Sequence, residues 1–379
     1  MKIKRLDFTL FFIVTVFIIA GIAFLATISA PASLEKFGTT NYYLIHQLKF
    51  GFLPGVLLGF FCFLIPLSFL RKISPLLLLV NLIAFAGLLI PQIASRFGGA
   101  TRWLNFLGIF NFQPSELFKI FSILYLSSWL KSRLTHRKTG ILKERKPSYS
   151  FKRVFLPFVI FLIAVAVAFV FQKDLSTLGI IGATALVIYF AAGTPLWHGF
   201  LIIGGAVFTF GLLIKYKAYR MSRIIVFLHP ETDPLGIGFQ LKQALIAIGS
   251  GGLYGRGLGF SSQKFGFLPH SMSDSTFAII AEELGFLGCI VLIFLFLTFL
   301  WVGLMIVKRS DDKFCQLTAL GITFWIVLQG FVNIGSMIGI LPLTGIPLPF
   351  ISYGGSHLVV ELIGIGILFN IAKHTKIKN

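Results

Sequence analysis

Long apolar stretches interrupted by short polar ones run through the whole chain. A helix of about 20 apolar residues crosses the hydrocarbon core of a bilayer. On that criterion ten segments are expected to span a membrane: roughly 8–29, 51–70, 75–91, 114–130, 154–171, 175–192, 195–214, 276–307, 314–340 and 347–371. Only "AAGTP" separates the sixth from the seventh. The first run imitates a secretory signal, but it is longer than the roughly 7–15 residues of a signal core, so a retained first span is expected. The pattern predicts an all-α polytopic membrane protein of about ten transmembrane helices, forming a single membrane domain over 1–379. Two connections stand out by length, at about 131–153 and about 215–275.

Composition agrees with that class. The chain is 56% hydrophobic and only 12% charged, against about 25% charged in soluble domains. Cys62, Cys289 and Cys315 lie in or beside apolar runs and lack metal-ligand spacing, so they read as small hydrophobes. The net charge of +20 is accounted for by membrane orientation and anionic lipid, with no nucleic-acid partner expected. Nine of the 33 lysines and arginines fall in "KSRLTHRKTGILKERKPSYSFKR" at 131–153, which marks a cytoplasmic face. Both termini are then expected in the cytoplasm, and 215–275 becomes the one large extracytoplasmic loop, between spans seven and eight. It is too apolar for disorder, and loops of that length are usually functional.

Three groups of ionisable residues are expected on or near the outer half of the membrane. The first is Asp274, with Glu282 and Glu283 about 12–14 Å further along the same helix. At that position Asp274 can cap the helix, act as a general base, or do both. The second is Glu116 with Lys119 in "FQPSELFK", three residues apart on one helix face and therefore able to pair. An ion pair inside a membrane marks either function or a structural clasp. The third is the basic outer loop, with Arg220, Arg223, Arg256 and Lys264, which Arg102 from "GGATRWLNF" could join. Outer loops have no orientational reason to be basic, so an anionic ligand such as a phosphate is expected, with lipid headgroups the alternative. The glycines of "GSGGLYGRGLG" fit no nucleotide-binding fingerprint and read as turns. No metal signature is present beyond the faint pair Glu231 and Asp233, so the metal ligands stay unknown.

These blocks resemble one family along the whole chain. "GGATRWLNF" with "FQPSELFK", "FQKDLSTLG", "HPETDPLGIGFQLKQALIAIGSGGLYGRGLG", "FLPHSMSDSTFAIIAEELGFLG" and "GILPLTGIPLPFISYGGSHLVVELIGIGILFNI" are similar to successive motifs of the SEDS proteins, the FtsW/RodA group of bacterial cell-wall polymerases. "GRGLGFSSQKFGFLP" looks closer to the FtsW branch. The chain departs from the family pattern at His270, where a glutamate is usual, at Lys173 and Ser176, and at His357.

The resemblance implies a peptidoglycan glycosyltransferase in the bacterial cytoplasmic membrane, acting in division or elongation. Lipid II would be polymerised into β-1,4 glycan strands at the outer face, with undecaprenyl diphosphate released. A class B penicillin-binding protein and other divisome or elongasome membrane proteins would be partners. Asp274 aligns with the family's essential aspartate, and Glu116 and Lys119 with its charged pair. Arg102, Arg220, Arg223 and Lys264 are the candidate cations for the diphosphate, with a divalent cation such as Mg or Mn able to serve there. A lipid II flippase or a non-catalytic division scaffold are the competing readings.

Overall fold

The computed structural model describes residues 5–88, 90, 94–97, 100–106, 110–135, 151–215, 221 and 225–374. Eleven helices are named here: α1 Arg5–Phe37, α2 Tyr42–Leu64, α3 Leu67–Gly87, α4 Pro114–Thr135, α5 Phe151–Phe171, α6 Leu175–Ala191, α7 Trp197–Lys215, α8 Ile237–Ser250, α9 Thr276–Arg309, α10 Lys313–Met337 and α11 Gly355–Lys373. The expected apolar segments fall largely on helix, but 347–354 runs as turns and irregular chain before α11 begins, and 51–70 is broken at 65–66. Among the described residues seven helices, α1, α2, α3, α5, α9, α10 and α11, are long and apolar enough to cross a membrane. Their outward faces carry large apolar side chains such as Phe8, Leu76, Ile83, Ile163 and Phe294, all exposed. That is the surface a helix presents to lipid.

Four features differ from the periodicity. The second span begins earlier, at Tyr42, passes through a π-turn at Leu48–Phe52 and ends at Leu64. Pro66 adopts ψ 133, outside the helical region, and starts a new helix, α3, inside what reads as one apolar run. The block 94–112 holds a three-stranded antiparallel sheet, β1 Ala94–Phe97, β2 Ala100–Phe106 and β3 Phe110–Phe112. Phe97 pairs with Ala100, and Leu104 with Phe112. Lastly, the long outer loop contains α8, whose buried residues Gly238, Gln240, Leu241, Ala244 and Ala247 recur at helical spacing.

The chain divides into two compact units. The first comprises Met1–Leu57, Val207–Val302 and Ile326–Glu361, and it contains Asp274. Its core includes Phe17, whose ring lies 4.7 Å from Phe296 and 5.4 Å from Phe350. The second comprises Leu58–Ala206, Gly303–Trp325 and Leu362–Asn379. There Phe85, Phe118 and Phe169 form a buried aromatic triad with ring separations of 5.2–5.5 Å.

Helix α9 changes character along its length. Phe277–Glu283 is buried on every side, whereas Phe286, Val291, Phe294 and Trp301 are exposed. The change occurs at Gly285, whose φ of 66° breaks the helix. A Cβ at Gly285 would lie 2.3 Å from the Gly255 nitrogen, so the residue is required by both backbone conformation and close approach.

Candidate active site around Asp274

Asp274 lies at the end of a polar turn, two residues before α9 begins at Thr276. Its residue surface is 9% exposed. The Gln240 Nε2 donates to Asp274 Oδ2 at 3.3 Å and to Ser275 Oγ at 2.9 Å. The Ser273 hydroxyl donates to Asp274 Oδ1 at 3.1 Å. Among the described residues no backbone N–H donates to this carboxylate, so Asp274 does not cap α9. Both donors are neutral, and they orient the group without cancelling its charge.

Two further segments of the same unit support this turn. The Asn333 Nδ2 on α10 donates to the main-chain oxygens of Asp274 and Ile346, each at 2.7 Å. The connection between α10 and α11 passes over the carboxylate: a Cβ at Gly345 would lie 3.9 Å from Asp274 Oδ2. Tyr353 N donates to Met272 O at 2.7 Å, and the Ser352 hydroxyl meets that of Thr276 at 3.2 Å. His270 takes a positive φ of 55°, and its carbonyl accepts from the N–H groups of Ser273 and Ser275. Its side chain is exposed, so His270 shapes the turn through its backbone.

Glu282 and Glu283, both fully buried, do not face Asp274's carboxylate as partners; they organise the loop 251–264. Glu282 accepts from the hydroxyls of Ser261 and Ser262 and from the N–H groups of Ser262 and Gln263, and pairs with Arg256 at 3.1 Å. Glu283 accepts from Ser261 N and pairs with Lys264 at 3.6 Å. The Lys264 ammonium also donates to Gly259 O. Lys264, expected to meet an anionic ligand, is therefore 7% exposed and braces the loop from inside. The reason is local: a fully buried carboxylate requires a compensating charge, and Lys264 is the one that reaches it.

The other expected residues lie in the second unit or outside the described residues. Glu116 and Lys119 pair at 2.8 Å, both nearly fully buried, and the Lys119 ammonium sits 5.1 Å from the centre of the Trp325 ring. Arg102 donates from Nε to Gln172 O at 3.4 Å and from Nη2 to Lys173 O, tying β2 to the turn before α6. Asp174 caps that helix by accepting from Thr177 N. Arg220 and Arg223 lie outside the described residues. Among the described residues no group of three or more His, Cys, Asp or Glu side chains gathers as a metal would require.

Gln240 and Asn333 did not stand out in the sequence. The available signal was a polar residue at a buried helical position: Gln240 shares its face of α8 with Leu241, Ala244 and Ala247.

A family model described as "Cell cycle protein", covering FtsW, RodA and SpoVE, matches residues 7–377. The chain belongs to this family. Stage V sporulation protein E of Bacillus subtilis is 34% identical over 374 residues, covering 98% of both chains. The "Probable peptidoglycan glycosyltransferase FtsW" of Nitrosomonas europaea is 36% identical over 371 residues, covering 96% of this chain and 92% of that one. Among solved structures, a chain described under "Structural coordination of polymerization and crosslinking by a peptidoglycan synthase complex" superposes with a TM-score of 0.73 at 24% identity, covering 96% of both. The rod shape determining protein RodA of Thermus thermophilus gives 0.69 at 23% identity, covering 97% of this chain and 96% of that one. The FtsW/RodA/SpoVE fold is thus the fold of this multi-pass membrane protein.

Proposed function

We propose that this FtsW/RodA/SpoVE-family protein is a peptidoglycan glycosyltransferase that polymerises lipid II at the outer face of the bacterial cytoplasmic membrane, with Asp274 as general base. The relatives named peptidoglycan glycosyltransferase, similar over nearly the whole chain, support the activity. The observation that carries the site assignment is a carboxylate held in place by neutral donors from two segments, on a turn braced by a third. Such a group keeps its proton-accepting capacity while its geometry is set in advance.

In the reaction, Asp274 removes the proton from the 4-hydroxyl of the acceptor sugar. The freed oxygen forms a bond to the anomeric carbon of the donor. The bond from that carbon to the lipid diphosphate breaks, and its electron pair leaves with the phosphate oxygen. One displacement converts an α-linked donor into a β-1,4 linkage. The departing diphosphate needs positive charge. Arg220 and Arg223 of the outer loop are the candidates for it, and a divalent cation would supply the same stabilisation. Charge placement supports cytoplasmic termini with 215–275 outside. A class B penicillin-binding transpeptidase is the partner this reading calls for, since glycan strands must be crosslinked. The relatives named FtsW favour division over elongation.

The test is polymerisation of labelled lipid II by the purified protein with its transpeptidase, with moenomycin present to silence polymerases of the other type. Asp274→Asn should lose activity by about 10²–10⁴-fold while remaining folded, the range expected for removing a general base. Equal polymer from both proteins would overturn the assignment. Lipid translocation without polymer from the wild type would favour the flippase reading instead.

A further inference from the structure

Gln240 stands on α8, 34 residues before Asp274, and is buried. A glutamine amide nitrogen has two hydrogens, and here each has an acceptor: one goes to Asp274 Oδ2 and the other to Ser275 Oγ. The Ser275 hydroxyl in turn donates to Pro269 O at 2.9 Å. The chain of bonds sets the orientation of the amide. Turned over, it would present its own oxygen to the carboxylate, where two acceptors repel. Both Asp274 oxygens are then accounted for, Oδ1 by Ser273 and Oδ2 by Gln240. Among the described residues, the groups facing the carboxylate are the Gln240 amide from α8, the Ser273 hydroxyl from its own turn and Gly345 from the α10–α11 connection, while Asn333 of α10 holds the Asp274 carbonyl. None of these is titratable.

We infer that Gln240 is a positioning residue of the glycosyl-transfer reaction: it holds the Asp274 carboxylate in the orientation that accepts the acceptor sugar's proton. The inference rests on Asp274 being the base. A donated hydrogen bond favours the charged form of a carboxylate, and a nearly buried carboxylate has little water to replace it. The amide acts throughout as a neutral, non-reacting donor. It does not touch the reacting atoms, so its removal should change when the base is ready as well as how fast it works.

The experiment is the pH–rate profile of lipid II polymerisation for the wild type, Gln240→Met, Gln240→Glu and Asp274→Asn, each with the transpeptidase. Folding is checked by thermal unfolding in detergent. Gln240→Met keeps the side-chain length and removes the donor. It should lower kcat at neutral pH by about tenfold and move the acid limb upward by about one pH unit, the equivalent of one hydrogen bond to a charged group. Gln240→Glu sets a second carboxyl beside the first, and the pair must share a proton. Its acid limb should lie above that of Gln240→Met. A uniform loss at every pH with the limb unmoved would overturn the inference, as would unchanged profiles. Failure of both Gln240 variants to fold would also overturn it, because Gln240 would then serve the fold alone. If Asp274→Asn polymerises like the wild type, the general-base reading itself fails, whatever the Gln240 variants do.

Discussion

The Asn333 side chain reaches across 59 residues of sequence to hold the main-chain oxygen of Asp274 at 2.7 Å. Its second hydrogen goes to Ile346 O, also at 2.7 Å, so one amide fastens the Asp274 turn and the α10–α11 connection together. Replacing Asn333 with Leu leaves two buried carbonyls without this donor. Each unsatisfied group costs about 1–3 kcal/mol. Asn333→Leu should lower the midpoint of thermal unfolding, and polymerisation should fall further than the lost stability explains.

The Glu282 network is expected to be a stability element of the loop. Glu282→Ala strips Arg256 of its partner and leaves the Ser262 and Gln263 N–H groups unpaired. The Arg256 side chain is 43% exposed and can turn to water, so the cost falls on the stranded N–H groups, at about 1–3 kcal/mol each. Limited proteolysis should then cut within 251–264 in the variant under conditions where the wild type resists.

Gly285 and Gly252 make a controlled comparison, since both have positive φ. At Gly252 a Cβ meets nothing within 4 Å, whereas at Gly285 it meets the Gly255 nitrogen at 2.3 Å and Leu253 O at 2.7 Å. Gly252→Ala should cost about 1 kcal/mol from backbone strain alone. Gly285→Ala should prevent the loop from closing on α9, and a large drop in unfolding temperature for this variant only is the expected result.

In the second unit, Glu116 and Lys119 should behave as a coupled pair. Both are nearly fully buried, so removing either charge breaks a buried ion pair from one side, at about 3–5 kcal/mol. Glu116→Gln with Lys119→Met should recover most of that loss. A double-mutant cycle on thermal stability measures the coupling. Polymerisation by the double variant then separates a structural clasp from a contact with substrate.

Asp312, in the turn between α9 and α10, carries a pH dependence. Partial burial by itself would raise its pKa. The Lys131 ammonium and the N–H groups of Cys315 and Phe314 outweigh that and hold it below the ordinary carboxylate value. A depressed carboxyl stabilises the fold above its unfolded value of about 3.9 and loses that contribution as pH falls through the folded value. The gap in unfolding temperature between wild type and Asp312→Asn should therefore narrow on acidification below about pH 4. A constant gap would show that the ion pair contributes nothing.

Much of the fold was legible because a bilayer imposes a one-dimensional rule. A span needs a continuous apolar length, and that length can be read directly from residues such as 276–307 or 314–340. The break at Pro66 and the strands at 94–112 were harder to read. Proline restarts a helix without interrupting an apolar run, and the strands are too short to show clear alternation. Asp274 could be singled out as a carboxylate at the mouth of an apolar helix, but capping and proton transfer could not be separated there.

The sequence by itself determined that the chain is a helical membrane protein, where its apolar spans lie, and that Asp274, Glu116 and Lys119 needed explanation. Only the tertiary structure decided their partners. Gln240 and Asn333, far away in sequence, engage Asp274. Lys264, ten residues before Asp274, turns inward to Glu283. The physical reason is that insertion into lipid depends on local apolar length, whereas a buried charge must find its compensation in whichever group the folded chain brings within hydrogen-bonding distance.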